Sequence, residues 1–334
     1  MAGLSKYKHA AVKVYNGYGH THDLVVYGHV FKSKPHIPHK YTNNVLLNIL
    51  HLIRLFFVEP LPHAKVQLQW RDQTFYAEAE DDGFFRFEWS SSNVNAGWHS
   101  LVVNCIDETG NVVATGEGKV LVPHSTQYAF ISDIDDTVLV SHSATIGKRL
   151  RVLFTKNPRT RKVFNNAVKF YGLLASAHTA TEVTNPFFYV SSSEWNLYGY
   201  LNEFFKYNGL PNGIFLLNQV KRWYELLKTG KTKHDGKLVR VIRILKVFQK
   251  QQFVLLGDNS QRDPDIYAAI VNKYPQKIFA VYIRNIRKEK EAATRELLQT
   301  LETAGVHTCL FNDNAAAIEH AKKIGLIGAA VQAE

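Results

Sequence analysis

The chain has 334 residues, 46% of them apolar and 12% aromatic, which excludes a disordered or low-complexity polypeptide and leaves room for two ordinary domains. Forty Lys and Arg against 29 Asp and Glu give a formal charge of +11, which favours an anionic partner: nucleic acid, a lipid surface or a phosphorylated substrate. Only Cys105 and Cys309 are present, which argues against a disulfide framework or a clustered zinc site, and no zinc-finger spacing, RNP-like aromatic strand or basic zipper occurs, so no nucleic-acid partner is expected.

The first residues, Met1 to His9, lack the apolar run of a signal peptide, and Val45–Phe57 is too short and too interrupted to span a bilayer. The expectation is a cytoplasmic protein. Short runs with partial period-two alternation come next: Ala11–Tyr15, Leu24–Phe31, Ala64–Trp70, Gln73–Ala77, Phe84–Trp89, Trp98–Ile106 and Asn111–Val122. Turn signals such as Asp81-Asp82-Gly83 and Glu108-Thr109-Gly110 separate them, so residues 1–124 read as a β-sandwich domain of immunoglobulin- or transthyretin-like type. Helical spacing near 42–57 inserts a helix whose Leu and Ile stripe reads as a packing face, with a membrane anchor as the lesser alternative. No chemistry is assigned to this domain, and a protein partner for it is not legible.

From about residue 125 to 334 the pattern changes. Candidate strands at Tyr128–Ser132, Phe187–Ser191, Gly213–Leu217, Phe253–Leu256, Phe279–Ile283 and His307–Phe311 alternate with helical patterns near Trp195–Asn208, Lys237–Gln249, Asp263–Lys273 and Ala292–Ala304. Such alternation predicts an α/β domain with a doubly wound parallel sheet. Residues 138–186 interrupt it with a mainly helical insertion, placed to cover the C-terminal strand ends as a lid would.

Four segments carry candidate chemistry. Asp133-Ile134-Asp135-Asp136-Thr137 lies directly behind the first strand and delivers two carboxylates, one residue apart, to the strand end where open α/β sheets bind ligands. Three acids in four residues repel one another unless a cation neutralises them, which points to a divalent metal and a phosphate; the plain alternative is an acidic turn. Asn185-Pro-Phe-Phe-Tyr-Val-Ser191-Ser192-Ser193 is an apolar strand ending in hydroxyls before a helix, suited to an anion or to simple N-capping. Lys237 opens an amphipathic pattern, where a lysine is disfavoured by the helix dipole unless an anion is near. In Phe253–Tyr267, Gly257 permits close backbone approach, Asp258 ends a strand, and Asp263 starts the next helix as a plausible N-cap.

Taken in this order, the four segments resemble the haloacid-dehalogenase-like phosphatase superfamily. Asp133–Val138, Asn185–Ser193 with Trp195-Asn-Leu-Tyr198, and Gly257–Tyr267 resemble, more closely, the actin-patch-associated phosphatidate phosphatase family and its bacterial members, whose catalytic motif is lipin-like. Supporting strings are Ser141–Thr145, Asn157–Arg161, Leu210–Gly213 and Tyr282-Ile-Arg284, with Tyr15–Gly19 in the N-terminal part. Glu194 and the spacing His234-Asp-Gly-Lys237 depart from the family pattern.

The resemblance implies a HAD-like Rossmannoid fold and a Mg²⁺-dependent phosphatase acting through an aspartyl-phosphate. Asp133 would be the nucleophile and Asp135 the general acid and base. Mg²⁺ would be held by Asp133, the backbone carbonyl of Asp135, and Asp258. Lys237 and Ser191 would hold phosphate oxygens, with Ser192 the alternative hydroxyl. Asp263 would orient the metal shell or Lys237, while Asp136 and Thr137 shape the turn. Lys148, Arg149, Arg151, Lys156, Arg159, Arg161 and Lys162, interleaved with Val152–Phe154, suit an anionic membrane or an ordinary solvated helix face. With the resemblance, phosphatidate at a membrane surface, through a peripheral contact, is the expected substrate. Soluble phosphomonoesters, or a non-catalytic phospholipid-binding module, are the alternatives.

Overall fold

A computed structural model of the chain describes residues 7–35, 44–139, 158–159, 163–220 and 233–328. Two separate sheets organise it into a mixed α/β protein. The first contains β1 (Ala11–Val14), β2 (Gly17–His20), β3 (Asp23–Phe31), β4 (Lys65–Trp70), β5 (Gln73–Glu78), β6 (Phe84–Trp89), β7 (Gly97–Ile106) and β8 (Val112–Val122). These join in the order β1-β3-β2-β8-β7-β4-β5, with β6 paired to β3. The pairings are antiparallel except β2 with β8.

Strand β3 departs from the half-buried alternation that its sequence suggests, and the reason is that both its faces are covered. Leu24, Val26 and Val30 enter a core with Val66, Leu68, Trp70, Phe85 and Phe87. Val25, Tyr27 and Phe31 enter a second cluster that they share with the parallel-sheet unit.

Between β3 and β4 lies α1 (Val45–Arg54), where helical spacing places it. Asn44 caps it, its Oδ1 accepting from the N–H groups of Leu46 and Leu47 at 2.9 and 3.3 Å. The stripe divides: Ile49 and Ile53 are half-buried, whereas its leucines are exposed. Leu46, Leu47 and Leu50 are 71%, 43% and 49% exposed, while Asn48 is buried.

The second sheet holds β9 (Tyr128–Ser132), β10 (Phe187–Glu194), β11 (Ile214–Asn218), β12 (Gln252–Asp258), β13 (Ile278–Arg284) and β14 (His307–Phe311) in the order β11-β10-β9-β12-β13-β14. Every pairing in it is parallel. Numbered from β9, the order is 3-2-1-4-5-6, so the chain reverses direction across the sheet between β9 and β12. The connections contain α2 (Ala167–Ala175), α3 (Tyr198–Tyr207), α4 (Lys233–Val247), α5 (Asp263–Lys273) and α6 (Glu291–Thr303), and α7 (Asn314–Lys323) comes after β14. Helix α4 starts four residues before Lys237, so that lysine sits in the second turn rather than at the helix start.

The first sheet docks on the segment beyond β10. Tyr15 stacks on Trp195 with ring centroids 4.1 Å apart, the Asn16 N–H donates to the Tyr198 hydroxyl at 2.9 Å, and Arg243 of α4 reaches Asp23 and Glu88 at 3.0 and 3.1 Å. Of the seven basic residues singled out in the insertion, Arg159 is among those described, paired with Glu203 of α3 at 2.7 Å; Lys148, Arg149, Arg151, Lys156, Arg161 and Lys162 lie outside them. No helix among the described residues is long and apolar enough to cross a membrane.

Candidate active site

Strand β9 is wholly buried and sits at the middle of the parallel sheet, so the turn after Ser132 emerges at the sheet's C-terminal edge, beside the point of chain reversal. The Asp133 N–H still donates to Leu256 O of β12 at 2.8 Å, so Asp133 leaves the sheet in register with its neighbour. The chain then turns sharply. Asp136 has a left-handed φ of 62°, and its N–H donates to Leu139 O at 2.9 Å. An aspartate tolerates that conformation better than most residues, which accounts for a third acid that otherwise serves the turn.

The turn, α4, and the β12–α5 junction converge. Lys237 Nζ donates to Asp133 Oδ1 at 2.8 Å and to Asp263 Oδ1 at 2.5 Å. The other Asp263 oxygen accepts from the Asp258 N–H at 3.3 Å. Thr137 Oγ1 lies 3.4 Å from Asp133 Oδ2 and 3.3 Å from Asp258 Oδ2. Asp258 Oδ1 takes the Ser260 N–H at 2.6 Å. Asp263 is thus the first residue of α5 but not its cap: that position belongs to Arg262, and the Asp263 carboxylate points into the cluster instead. Gly257 makes this possible. A Cβ there would stand 2.6 Å from Asp263 Oδ2 and 2.8 Å from its Cβ.

Carboxylate oxygens of Asp133, Asp258 and Asp263 lie within 4.8 Å of one another, all buried. Burial pushes the Asp133 carboxyl well above the usual range; Lys237 opposes this, and Asp263, Asp258 and Asp135 add to it. Burial, then Asp263, raises Asp258 to about 7. For Lys237, burial works against the charge, but the attraction of Asp133 and Asp263 prevails and holds the ammonium above its ordinary pKa. One buried ammonium among three carboxylates leaves excess negative charge in an all-oxygen donor set. Such a set could hold a hard divalent cation. The Asp135 side chain faces the serines, which leaves its backbone carbonyl as the atom read as a metal ligand, and Asp263 joins Asp133 and Asp258 in the acidic trio.

Strand period separates the serines. Ser191 and Ser193 are buried on one side of β10, with hydroxyls 3.4 and 2.6 Å from Asp135 Oδ2. Ser192 turns the other way, to Gln261 Oε1 at 3.3 Å. Ser193 was not singled out from sequence, although alternation from Ser191 would have found it. We predict that Ser193→Ala and Ser191→Ala each lower turnover by about 10- to 100-fold, while Ser192→Ala stays within about threefold; steady-state kinetics of the three variants checks this.

Arg284 was also missed as a single residue, though its string was noticed. It is buried between the rings of Phe164 and Phe311, donates from Nε to Thr137 O at 3.1 Å, and donates from Nη2 to Asn314 Oδ1 at 2.7 Å. It therefore braces the end of the acidic turn from β13. An arginine at a strand's C-terminal end amid apolar residues was the available signal.

The fold and site define an α/β unit with a buried carboxylate–lysine centre at the C-terminal edge of a parallel sheet, beside a serine-bearing strand. Residues 128–285 match the family model described as the catalytic domain of phosphatidate phosphatase APP1. Over 160 residues, 46% of the chain, it is 31% identical to the phosphatidate phosphatase APP1 of Saccharomyces cerevisiae, covering 25% of that protein. An uncharacterized protein of Schizosaccharomyces pombe is 26% identical over 186 residues, 53% of this chain and 29% of that protein. The match thus takes in between a quarter and a third of these relatives' length. Among solved structures, a carbohydrate acetylesterase from Xanthomonas citri aligns over 93% of this chain and 72% of its own at 10% identity with a TM-score of 0.30, too loosely to bear on fold or function.

Proposed function

We propose that the protein is a Mg²⁺-dependent phosphatidate phosphatase with a haloacid-dehalogenase-like, doubly wound catalytic unit. The observation that carries the reading is the clustering of Asp133, Asp258 and Asp263 around Lys237, next to an Asp135 held by Ser193. The family match over the same residues supports phosphatidate as substrate.

Asp133 Oδ attacks phosphorus in line, forming an aspartyl-phosphate as the phosphorus–oxygen bond to the leaving alkoxide breaks. Asp135 gives that alkoxide its proton, then takes one from the water that hydrolyses the intermediate, releasing inorganic phosphate and regenerating both carboxyl groups. The Ser193 hydroxyl fixes which Asp135 oxygen faces the reaction. Lys237 balances the charge of Asp133 and binds a phosphate oxygen, with the Ser191 hydroxyl holding another. Asp133, the backbone carbonyl of Asp135 and Asp258 would hold Mg²⁺, with Asp263 beside them orienting the set, and the ion when bound would screen the charge between nucleophile and phosphate. The β-domain has no part in the chemistry. Work at a peripheral membrane contact fits the cationic chain and a substrate embedded in lipid.

Purified protein is expected to release phosphate and diacylglycerol from phosphatidate in mixed micelles with Mg²⁺, and to lose this activity by about 100-fold or more in chelator. Good turnover of soluble phosphomonoesters with none of phosphatidate would reject the lipid assignment. Vesicle binding without phosphate release from any ester would reject catalysis.

A further inference from the structure

We propose that α1 is an in-plane membrane-docking helix, which lays its leucines into an anionic lipid surface and thereby presents the neighbouring site to substrate. This rests on the lipid reading above and assigns its membrane contact to the β-domain, not to the basic insertion.

The helix is built inside out for a solvated surface element. Leu46, Leu47 and Leu50 share its outer side at 71%, 43% and 49% exposure, and Phe57, just beyond the helix, is 58% exposed. Asn48 is only 5% exposed, and Ile49 and Ile53 are half-buried. A helix packed for stability alone would turn these leucines inward as well. Its cap, Asn44, and its attachment through the buried Phe56 keep it formed without burying the leucines.

Charge selects the occupant. From Leu24 to Val58 the chain has no Asp or Glu but carries Lys32, Lys34, Lys40 and Arg54, and Lys34 and Arg54 are exposed. Glu59, exposed two residues beyond Phe57, lies 3.9 Å from Lys32, so the cations beside the apolar stripe are Lys34 and Arg54, which suit an anionic interface where acyl chains take the leucines and headgroups face the cations. Ten residues amount to about 15 Å of helix, too short to cross a bilayer but long enough to lie in its surface.

The helix is also tied to the site. Asn196 Nδ2 donates to Leu55 O at 2.9 Å, and Asn196 belongs to the short turn that begins two residues after Ser193. Docking α1 therefore fixes the serine strand's exit relative to the lipid plane.

The test uses the full chain carrying Leu46→Ser and Leu50→Ser. In sedimentation with phosphatidylserine–phosphatidylcholine vesicles, this variant is expected to bind about tenfold more weakly than wild type. Its hydrolysis of a monomeric short-chain phosphatidate should be unchanged, and its activity on long-chain phosphatidate in vesicles should fall. Raised salt should weaken wild-type binding to anionic vesicles, and neutral vesicles should bind less. Equal vesicle binding by wild type and variant, or absence of wild-type binding, would overturn the proposal. So would a parallel loss on monomeric substrate, which would mean a structural role. If wild type is a dimer and the variant a monomer by sedimentation velocity, the leucines cover a second copy and the proposal fails. Because phosphatidylserine is not the substrate, vesicle binding is decided separately from phosphatidate hydrolysis.

Discussion

Asp133→Asn is expected to abolish phosphate release, lowering turnover by about 10⁴-fold or more, as removal of a nucleophile does. The amide keeps the size of the carboxyl and still accepts from Lys237 Nζ, so the fold is retained. It also removes one of three clustered acids whose mutual repulsion, with burial, raises the carboxyl of Asp133. The melting temperature should therefore hold or rise in metal-free buffer. A phosphate-release assay and a thermal melt on the same preparation check both. Residual turnover within about tenfold of wild type would remove Asp133 from the role of nucleophile.

Lys237→Met should produce the largest effect on stability. Its ammonium is buried with Asp133 and Asp263, and deleting one partner of a buried ion pair costs about 3–5 kcal/mol because the other charges stay behind. In chelator the variant is expected to melt roughly 5–10 °C below wild type. Mg²⁺ should return part of the loss, since a cation can replace the missing charge. The deficit has a definite pH sign. Asp133 and Asp258 titrate above their unfolded values, so they bind protons more readily folded than unfolded. Stability then declines as pH rises from about 4, the ordinary carboxyl value, through about 7 for Asp258. Without the lysine this decline steepens, so the variant should lie nearest wild type in mildly acidic buffer and furthest from it at neutral pH. Melts across that range, with and without Mg²⁺, decide it; a deficit independent of both would show that Lys237 acts through packing alone.

The parallel-sheet unit was legible because its strands are continuous apolar runs and its helices keep a 3.6 period. Asp133, Ser191, Lys237, Asp258 and Asp263 could be nominated because each lies at a strand end or near a helix start, where side chains from distant segments meet. Their partners were harder. Whether Asp263 caps α5 or reaches into the cluster depends on Gly257 allowing it to approach, a tertiary fact no local pattern carries. Ser193 needed only the period-two rule applied one step further. Helix α7 was overlooked although Asp313 caps it, its Oδ1 accepting from the Ala315 N–H at 2.6 Å, because the alanine-rich run has little hydrophobic periodicity. In α1 the helix was legible and its orientation was not. An apolar stripe states that leucines share a side, and only the fold determines whether that side faces protein or solvent.

The double-faced strand β3 limits how this protein can be cut. Val25, Tyr27 and Phe31 sit in the same cluster as Phe130, Phe188 and Trp195, and Tyr15 stacks on Trp195 itself. A fragment beginning near residue 125 would leave an aromatic scar on the strand–helix junction two residues beyond Ser193. An inactive fragment would then report damage to that junction and say nothing of whether the β-sheet has a partner of its own. The two sheets have to be assayed as one piece of material, with changes made by point substitution on the outer surfaces of the first.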